Sequence, residues 1–218
     1  MTKKNFAVFG LGRFGRNVAL TLEQMGYNVL GVDKDENVAA EMASSLTKVV
    51  SFDIRDTHAL KEVGISNFDT VVIASKSLEA SLMATMLCKE MNVAEIIVKA
   101  IDERHAEMAK RLGATRVIFS ERDTARRVAR SLVTNYATDF TDIDENITIM
   151  SLNVPVKLRG KNLIESNLRG KYGLNIIAIT GNGKTLVPPP PQHVLSDGEK
   201  IFILGMPDSL NKFEQDFL

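Results

Sequence analysis

The sequence predicts an α/β chain: a doubly wound parallel sheet followed by a second, smaller α+β domain. Three observations carry this prediction. Short apolar runs alternate with helical patterns as far as residue 136. A glycine-rich turn, Gly10-Leu11-Gly12-Arg13-Phe14-Gly15, joins the first apolar run to the first helical pattern. The alternation then stops, and the remaining residues read mainly as strands. Alternation of this kind implies parallel strands covered by helices on both faces. Together with the glycine turn, six strands complete a Rossmann-type sheet.

Element by element, the strands fall at residues 5–9, 28–32, 48–52, 70–74, 95–99 and 116–119. Helical patterns occupy 13–25, 36–46, 57–63, 78–91, 103–112 and 122–136. In the first of these, Phe14, Val18, Leu22 and Met25 recur at helical spacing and predict the buried face, and Gly26 stops the helix. Met83, Met86, Leu87 and Met91 predict a core-facing stripe on the fourth, and Cys88 reads as core. His58 and His105 lie on helical patterns and read as surface residues. Residues 137–146 are polar and acid-rich and read as a linker. Beyond them come strands at 147–153, 175–180, 185–187 and 200–204, a short helix at 162–166 and a terminal helix at 208–217. Pro188–Pro191 fit neither a helix nor a central strand and read as extended. The expected domains are residues 1–137 and 138–218. A unit as small as the second has a marginal core by itself, so pairing with a copy of itself is expected.

Composition narrows the function. Basic and acidic side chains balance at 27 each, so the charge that drives non-specific nucleic-acid binding is absent. A neutral chain also lacks the net repulsion that opposes self-association. The one cysteine, Cys88, makes an intrachain disulfide impossible and fits a reducing cytosol. No apolar run approaches a membrane span, so direct membrane insertion is not expected, and any action at a membrane would go through a partner.

The glycine turn is the strongest motif. Gly10 permits the tight turn, Gly12 lets the backbone approach phosphate, and Gly15 lets the helix pack on the strand. Asp33 ends the second strand, where a carboxylate accepts hydrogen bonds from ribose hydroxyls, and Lys34 follows it. Arg13 stands where a guanidinium would meet terminal phosphates, which favours ATP or ADP over NAD(H). Arg16 reads as a solvated helix residue. Further candidates fall at strand C-termini: Asp53 and Ile54 beside the adenine, Ala74 and Ser75 after the fourth strand, and Lys99 after the fifth. Glu121 opens the last helix of this half, where a carboxylate suits the helix dipole. No Ser/His/Asp or Cys/His arrangement has recognisable spacing, which argues against an enzyme. An NAD-dependent oxidoreductase and an NAD(H)-redox sensor stand as the alternatives.

The run Phe6-Ala7-Val8-Phe9-Gly10-Leu11-Gly12-Arg13-Phe14-Gly15 resembles the RCK (KTN, TrkA-N) domain of bacterial potassium-transport regulators. So do Gly64-Ile65-Ser66-Asn67-Phe68-Asp69, Ile97-Val98-Lys99-Ala100, and Leu112-Gly113-Ala114 with Glu121-Arg122-Asp123. Leu168-Arg169-Gly170-Lys171-Tyr172-Gly173 resembles the central motif of the TrkA-C domain. The resemblance to cytosolic regulatory subunits of Ktr-type transporters implies an octameric ring built of dimers. That ring would lie beneath a membrane potassium channel at the cytoplasmic face of the plasma membrane, with ATP activating and ADP inactivating. It implies that Arg13 touches the terminal phosphates, Asp33 the ribose and Asp53 the base. Glu121 would help hold a divalent or monovalent cation near the phosphates at a dimer interface. It also implies a cyclic di-AMP site at Leu163, Ile164, Asn167, Leu168, Arg169, Asn175 and a proline, Pro190. Two departures stand out: Gly170 where the family has Ala, and Asn167 where it often has Asp.

Overall fold

The computed structural model describes residues 3–133, 137–144 and 146–217. Its contacts divide the chain into two compact units, Met1–Ser120 and Glu121–Leu218. The division falls earlier than residue 137, with residues 121–133 grouped in the second unit.

The first unit holds β1 (Asn5–Phe9), β2 (Asn28–Asp33), β3 (Lys48–Ser51), β4 (Thr70–Ile73), β5 (Glu95–Lys99) and β6 (Arg116–Ile118). They form one parallel sheet in the order β3-β2-β1-β4-β5-β6. Between them run α1 (Arg13–Gln24), α2 (Glu36–Met42), α3 (Thr57–Glu62), α4 (Leu78–Glu90) and α5 (Glu103–Arg111). Four helix starts are capped by the residue that precedes them: Asp35, Asp56, Ser77 and Asp102 each accept a hydrogen bond from an N–H of the first turn. The sheet has a core on each face. Ala7, Phe9, Val32 and Ile73 face one cluster, and Val8, Val29 and Val72 face the other. Burial on both faces explains why these strands read as unbroken apolar runs.

Three expectations for this unit fail. Met25 is 69% exposed and Met83 38% exposed, so neither belongs to the buried stripe assigned to it. Met25 is the C-cap of α1, beyond its last helical turn. His105 is buried rather than on the surface. Its Nδ1 accepts from the Ile101 N–H, and its Nε2 pairs with Ser81 Oγ of α4 at 3.1 Å.

From its second residue onward, α6 (Ser120–Val133) lies in the second unit; positions 134–136 of the expected helix lie outside the described residues. The sheet of this unit contains β7 (Ala137–Asp142), β8 (Thr148–Asn153), β9 (Asn175–Gly181), β10 (Lys184–Leu186) and β11 (Lys200–Gly205). These pair antiparallel in the order β10-β9-β11-β8-β7. The expected linker is therefore mostly the edge strand β7, with Phe140 buried in the core; residue 145 lies outside the described residues. Polar Thr and Asp neighbours suit an edge strand and mask its period. After the sheet's first hairpin come α7 (Leu163–Ser166) and α8 (Leu168–Tyr172), and α9 (Pro207–Phe217) ends the chain. No sequence signal separated α8 from its surroundings, since it is short and carries Gly170 in its interior. The core gathers Met150, Leu152, Leu168, Leu174, Ile203 and Phe213.

Candidate nucleotide cleft and second pocket

A cleft of about 600 Å³ opens at the C-terminal ends of β1 to β4. There β1 pairs with β2 on one side and β4 on the other, so the direction of winding reverses. Ligands in open α/β sheets sit at such a switch point. The glycine loop forms one wall. Gly10 has φ +88°, and its N–H donates to the Val32 carbonyl at 2.8 Å. A Cβ on Gly15 would overlap the Gly10 carbonyl oxygen, so only glycine allows α1 to start this close to β1.

Asp33 is half-buried and lines the cleft. Its Oδ2 accepts the Leu11 N–H at 2.7 Å, and its Oδ1 accepts the Asp35 N–H at 3.1 Å. This carboxylate braces the glycine loop and still has lone pairs for a hydroxyl. Gly12, Lys34, Asp53, Ile54, Ala74 and Ser75 also line the cleft. Arg13 and Phe14 open α1 beside the cleft rather than in its wall, and Arg13 is exposed. Lys99 Nζ lies 5.7 Å above the Phe14 ring, at the start of the same helix. Arg16 pairs with Glu41 of α2 at 2.8 Å, a solvated helix residue as read. Glu121 lies in the first turn of α6, exposed, within the second unit, and is not without an interaction partner. Among the described residues, no group of three or more His, Cys, Asp or Glu is placed to hold a metal ion.

Sequence reasoning missed Arg55. Its Nε and Nη2 clasp Asp53, the shortest distance being 2.6 Å, and its Nη1 reaches Glu79 of α4 at 2.8 Å. The Arg55 guanidinium holds the Asp53 carboxyl down at about 2, and Asp53 in turn raises Arg55 above its usual range. Position 55 carried a signal, an arginine two residues after a carboxylate at a strand end. The bridge to Glu79 depends on α4 and is not local.

The second unit has its own pocket, about 530 Å³. Leu163, Ile164, Asn167, Leu168, Arg169 and Asn175 all line it. Pro189 and Pro191 line it rather than Pro190. α7 begins with a reciprocal cap: Asn162 accepts the Glu165 N–H, and Glu165 accepts the Asn162 N–H. α8 is tied to α9 by Lys171 Nζ and Tyr172 Oη, both donating to Asp216, whose carboxyl they hold below its usual range. The two family departures touch each other. Asn167 takes φ +48°, and its amide occupies the space that a Cβ on Gly170 would need.

The family model of the TrkA-N domain matches residues 6–120, and that of the TrkA-C domain matches residues 147–218. The chain belongs to the TrkA-N/TrkA-C family. Over 217 residues this TrkA-N/TrkA-C chain is 33% identical to Ktr system potassium uptake protein C of Bacillus subtilis (strain 168). That match covers 99% of this chain and 98% of the relative. Ktr system potassium uptake protein A of the same organism is 33% identical over 214 residues, 98% of this chain and 96% of the relative. Among solved structures, the GsuK channel superposes with a TM-score of 0.73 at 21% identity, over 99% of this chain and 40% of that one. The GsuK channel bound to NAD gives 0.70 at 20% identity, over 96% and 38%. At those identities the likeness is one of fold, and the TrkA-N/TrkA-C chain spans less than half the length of those channel chains. Among the described residues, no helix is long and apolar enough to cross a membrane.

Proposed function

We propose that this chain is the nucleotide-sensing regulatory subunit of a potassium-uptake system and not an enzyme. The observation that carries the proposal is the cleft with Asp33 braced beneath its glycine loop, in a chain whose full-length relatives are named Ktr potassium uptake proteins. ATP and ADP are the ligands: the loop and the start of α1 take the phosphates, Asp33 the ribose, and Arg13 the terminal phosphate. ATP activates and ADP inactivates. Gating requires that the two states of the assembly bind the nucleotides differently, because equal affinity shifts no population. The subunit acts as a dimer within an octameric ring, peripheral to the cytoplasmic face of the membrane through a potassium-channel partner. At a dimer interface, Glu121 of one subunit helps hold a cation near the phosphates. Cyclic di-AMP binds across a two-fold axis of the second domain, which presents each Arg169 once per phosphate. The pocket that gathers six of the residues expected for that ligand supports this assignment.

An NAD(H) sensor is the second reading, favoured by the same fold in the GsuK channel bound to NAD. Calorimetric titration with ATP, ADP, NAD and NADH separates the two. The proposal expects ATP and ADP to bind, Asp33→Ala to weaken both, and Arg13→Ala to weaken ATP more than ADP. Tight binding of NAD(H) alone, or unchanged ATP affinity in Asp33→Ala, would overturn it.

A further inference from the structure

We propose that Arg55 decides how the cleft discriminates between purine bases, by withholding the Asp53 carboxylate from the ligand. This rests on the reading of the cleft as a nucleotide site. With phosphates at the loop after β1 and ribose at the end of β2, the base lies toward the end of β3, the outermost strand of that half of the sheet. Phe52, Asp53, Ile54 and Arg55 form that end of the cleft.

A carboxylate there would ordinarily accept from the exocyclic amine of adenine and repel the O6 of guanine. Here the lone pairs of Asp53 are largely spoken for. Oδ1 accepts the Arg55 backbone N–H at 3.0 Å and Nε at 3.0 Å. Oδ2 accepts Nε at 3.1 Å and Nη2 at 2.6 Å. Three Arg55 N–H groups, the Nε proton being shared between the two oxygens, thus occupy most of the about four lone-pair sites of the carboxylate, so little acceptor capacity is left for a base. Glu79 fixes the guanidinium from the far side, anchoring it to the first turn of α4. The Asp56 N–H donates to the Asp53 carbonyl at 2.8 Å, which closes a tight turn that holds Arg55 in register. Each terminal nitrogen of Arg55 keeps a second N–H beyond its ion pair. Those donors suit the O6 and N7 acceptors of guanine. The base end is therefore donor-rich with the Asp53 charge paired, and the cleft accepts adenine and guanine nucleotides with similar affinity.

The test is calorimetric titration of the full chain with ADP and with GDP. The parent is expected to bind both within about tenfold of each other. Arg55→Ala frees Asp53 and shifts the ratio of affinities toward ADP by roughly tenfold or more, in line with one base-edge pair gained and one lost. Arg55→Gln, which retains the stem of the side chain, serves if the alanine variant folds poorly, and shifts the ratio the same way. Adding Asp53→Asn to either variant removes the part of the shift that the freed carboxylate contributes, and so reduces it. An unchanged ratio, a shift toward GDP, or a shift that Asp53→Asn leaves undiminished overturns the inference while leaving the nucleotide site intact. A parent that binds neither nucleotide overturns the reading of the cleft itself, and the inference with it.

Discussion

The two pockets are similar in size, about 600 and 530 Å³, yet they are made of different material. The cleft of the first unit is walled by strand ends and a glycine loop whose backbone is hydrogen-bonded into the sheet. Its lining is charged, with Asp33, Lys34, Asp35, Asp53, Arg55 and Lys76. The second pocket is walled by two short helices and a proline run, and Arg169 is the one charged side chain among its lining residues. A cleft set by backbone resists change and collects charge at strand ends. A pocket set by side chains adapts, and depends on whatever holds its helices.

The largest expected effect tests that dependence. Phe213 is fully buried and packs edge-on against Tyr172, linking α9 to α8. Phe213→Ala should cost about 3–5 kcal/mol in the unfolding of the second unit, measured by chemical denaturation, while ADP titration at the first unit is retained. Loss of ADP binding in that variant would show that the two pockets do not stand on separate cores.

Gly15→Ala places a Cβ into the Gly10 carbonyl, a backbone atom that cannot turn aside. We expect a loss of about 3 kcal/mol and abolished ADP binding by calorimetry. A stable, nucleotide-binding variant would mean that the loop yields as readily as a side chain.

Acid should find the first unit through two groups. Burial lowers the His105 pKa, so the unfolded chain takes up a proton that the folded chain refuses. That stability is complete above about pH 6.5 and declines as the pH falls below it. Asp53, at about 2 in the folded chain, contributes stability above the ordinary carboxylate range that is lost as the pH falls from about 4 toward 2. The second effect should stay below about 1 kcal/mol, because the pair is solvent-screened. Denaturation midpoints across pH 2–8 should show both steps, with His105→Gln removing the first and Asp53→Asn the second.

The smallest effect is the counterpart of Gly15→Ala. A Cβ on Gly170 meets only the amide end of Asn167, which is able to rotate. Gly170→Ala should change stability by less than about 1 kcal/mol, since the gain in helix propensity offsets the displaced amide. A loss as large as that of Gly15→Ala would erase the contrast between the two pockets.

Much of this protein was written locally. The six strands, their alternation with helices and the glycine loop follow from runs of neighbouring residues, because a strand buried on both faces and a turn that demands glycine each constrain a few adjacent positions. Asp33 was legible for the same reason, as a carboxylate at a strand end. The second pocket was reached only through resemblance, since its apolar lining looks like any small core.

Only the tertiary structure could decide the rest. Polar β7 is a strand because β8 lies beside it. His105 is buried because Ser81, 24 positions away, offers it a partner. The Arg55 guanidinium, already paired locally with Asp53, is anchored to α4 because Glu79, also 24 positions away, comes to meet it. Which prolines face the second pocket is fixed by how their segment docks, not by residue type. Each of these depends on a contact between residues distant in sequence, and the pattern of neighbours along the chain carries no record of such a contact until packing makes it.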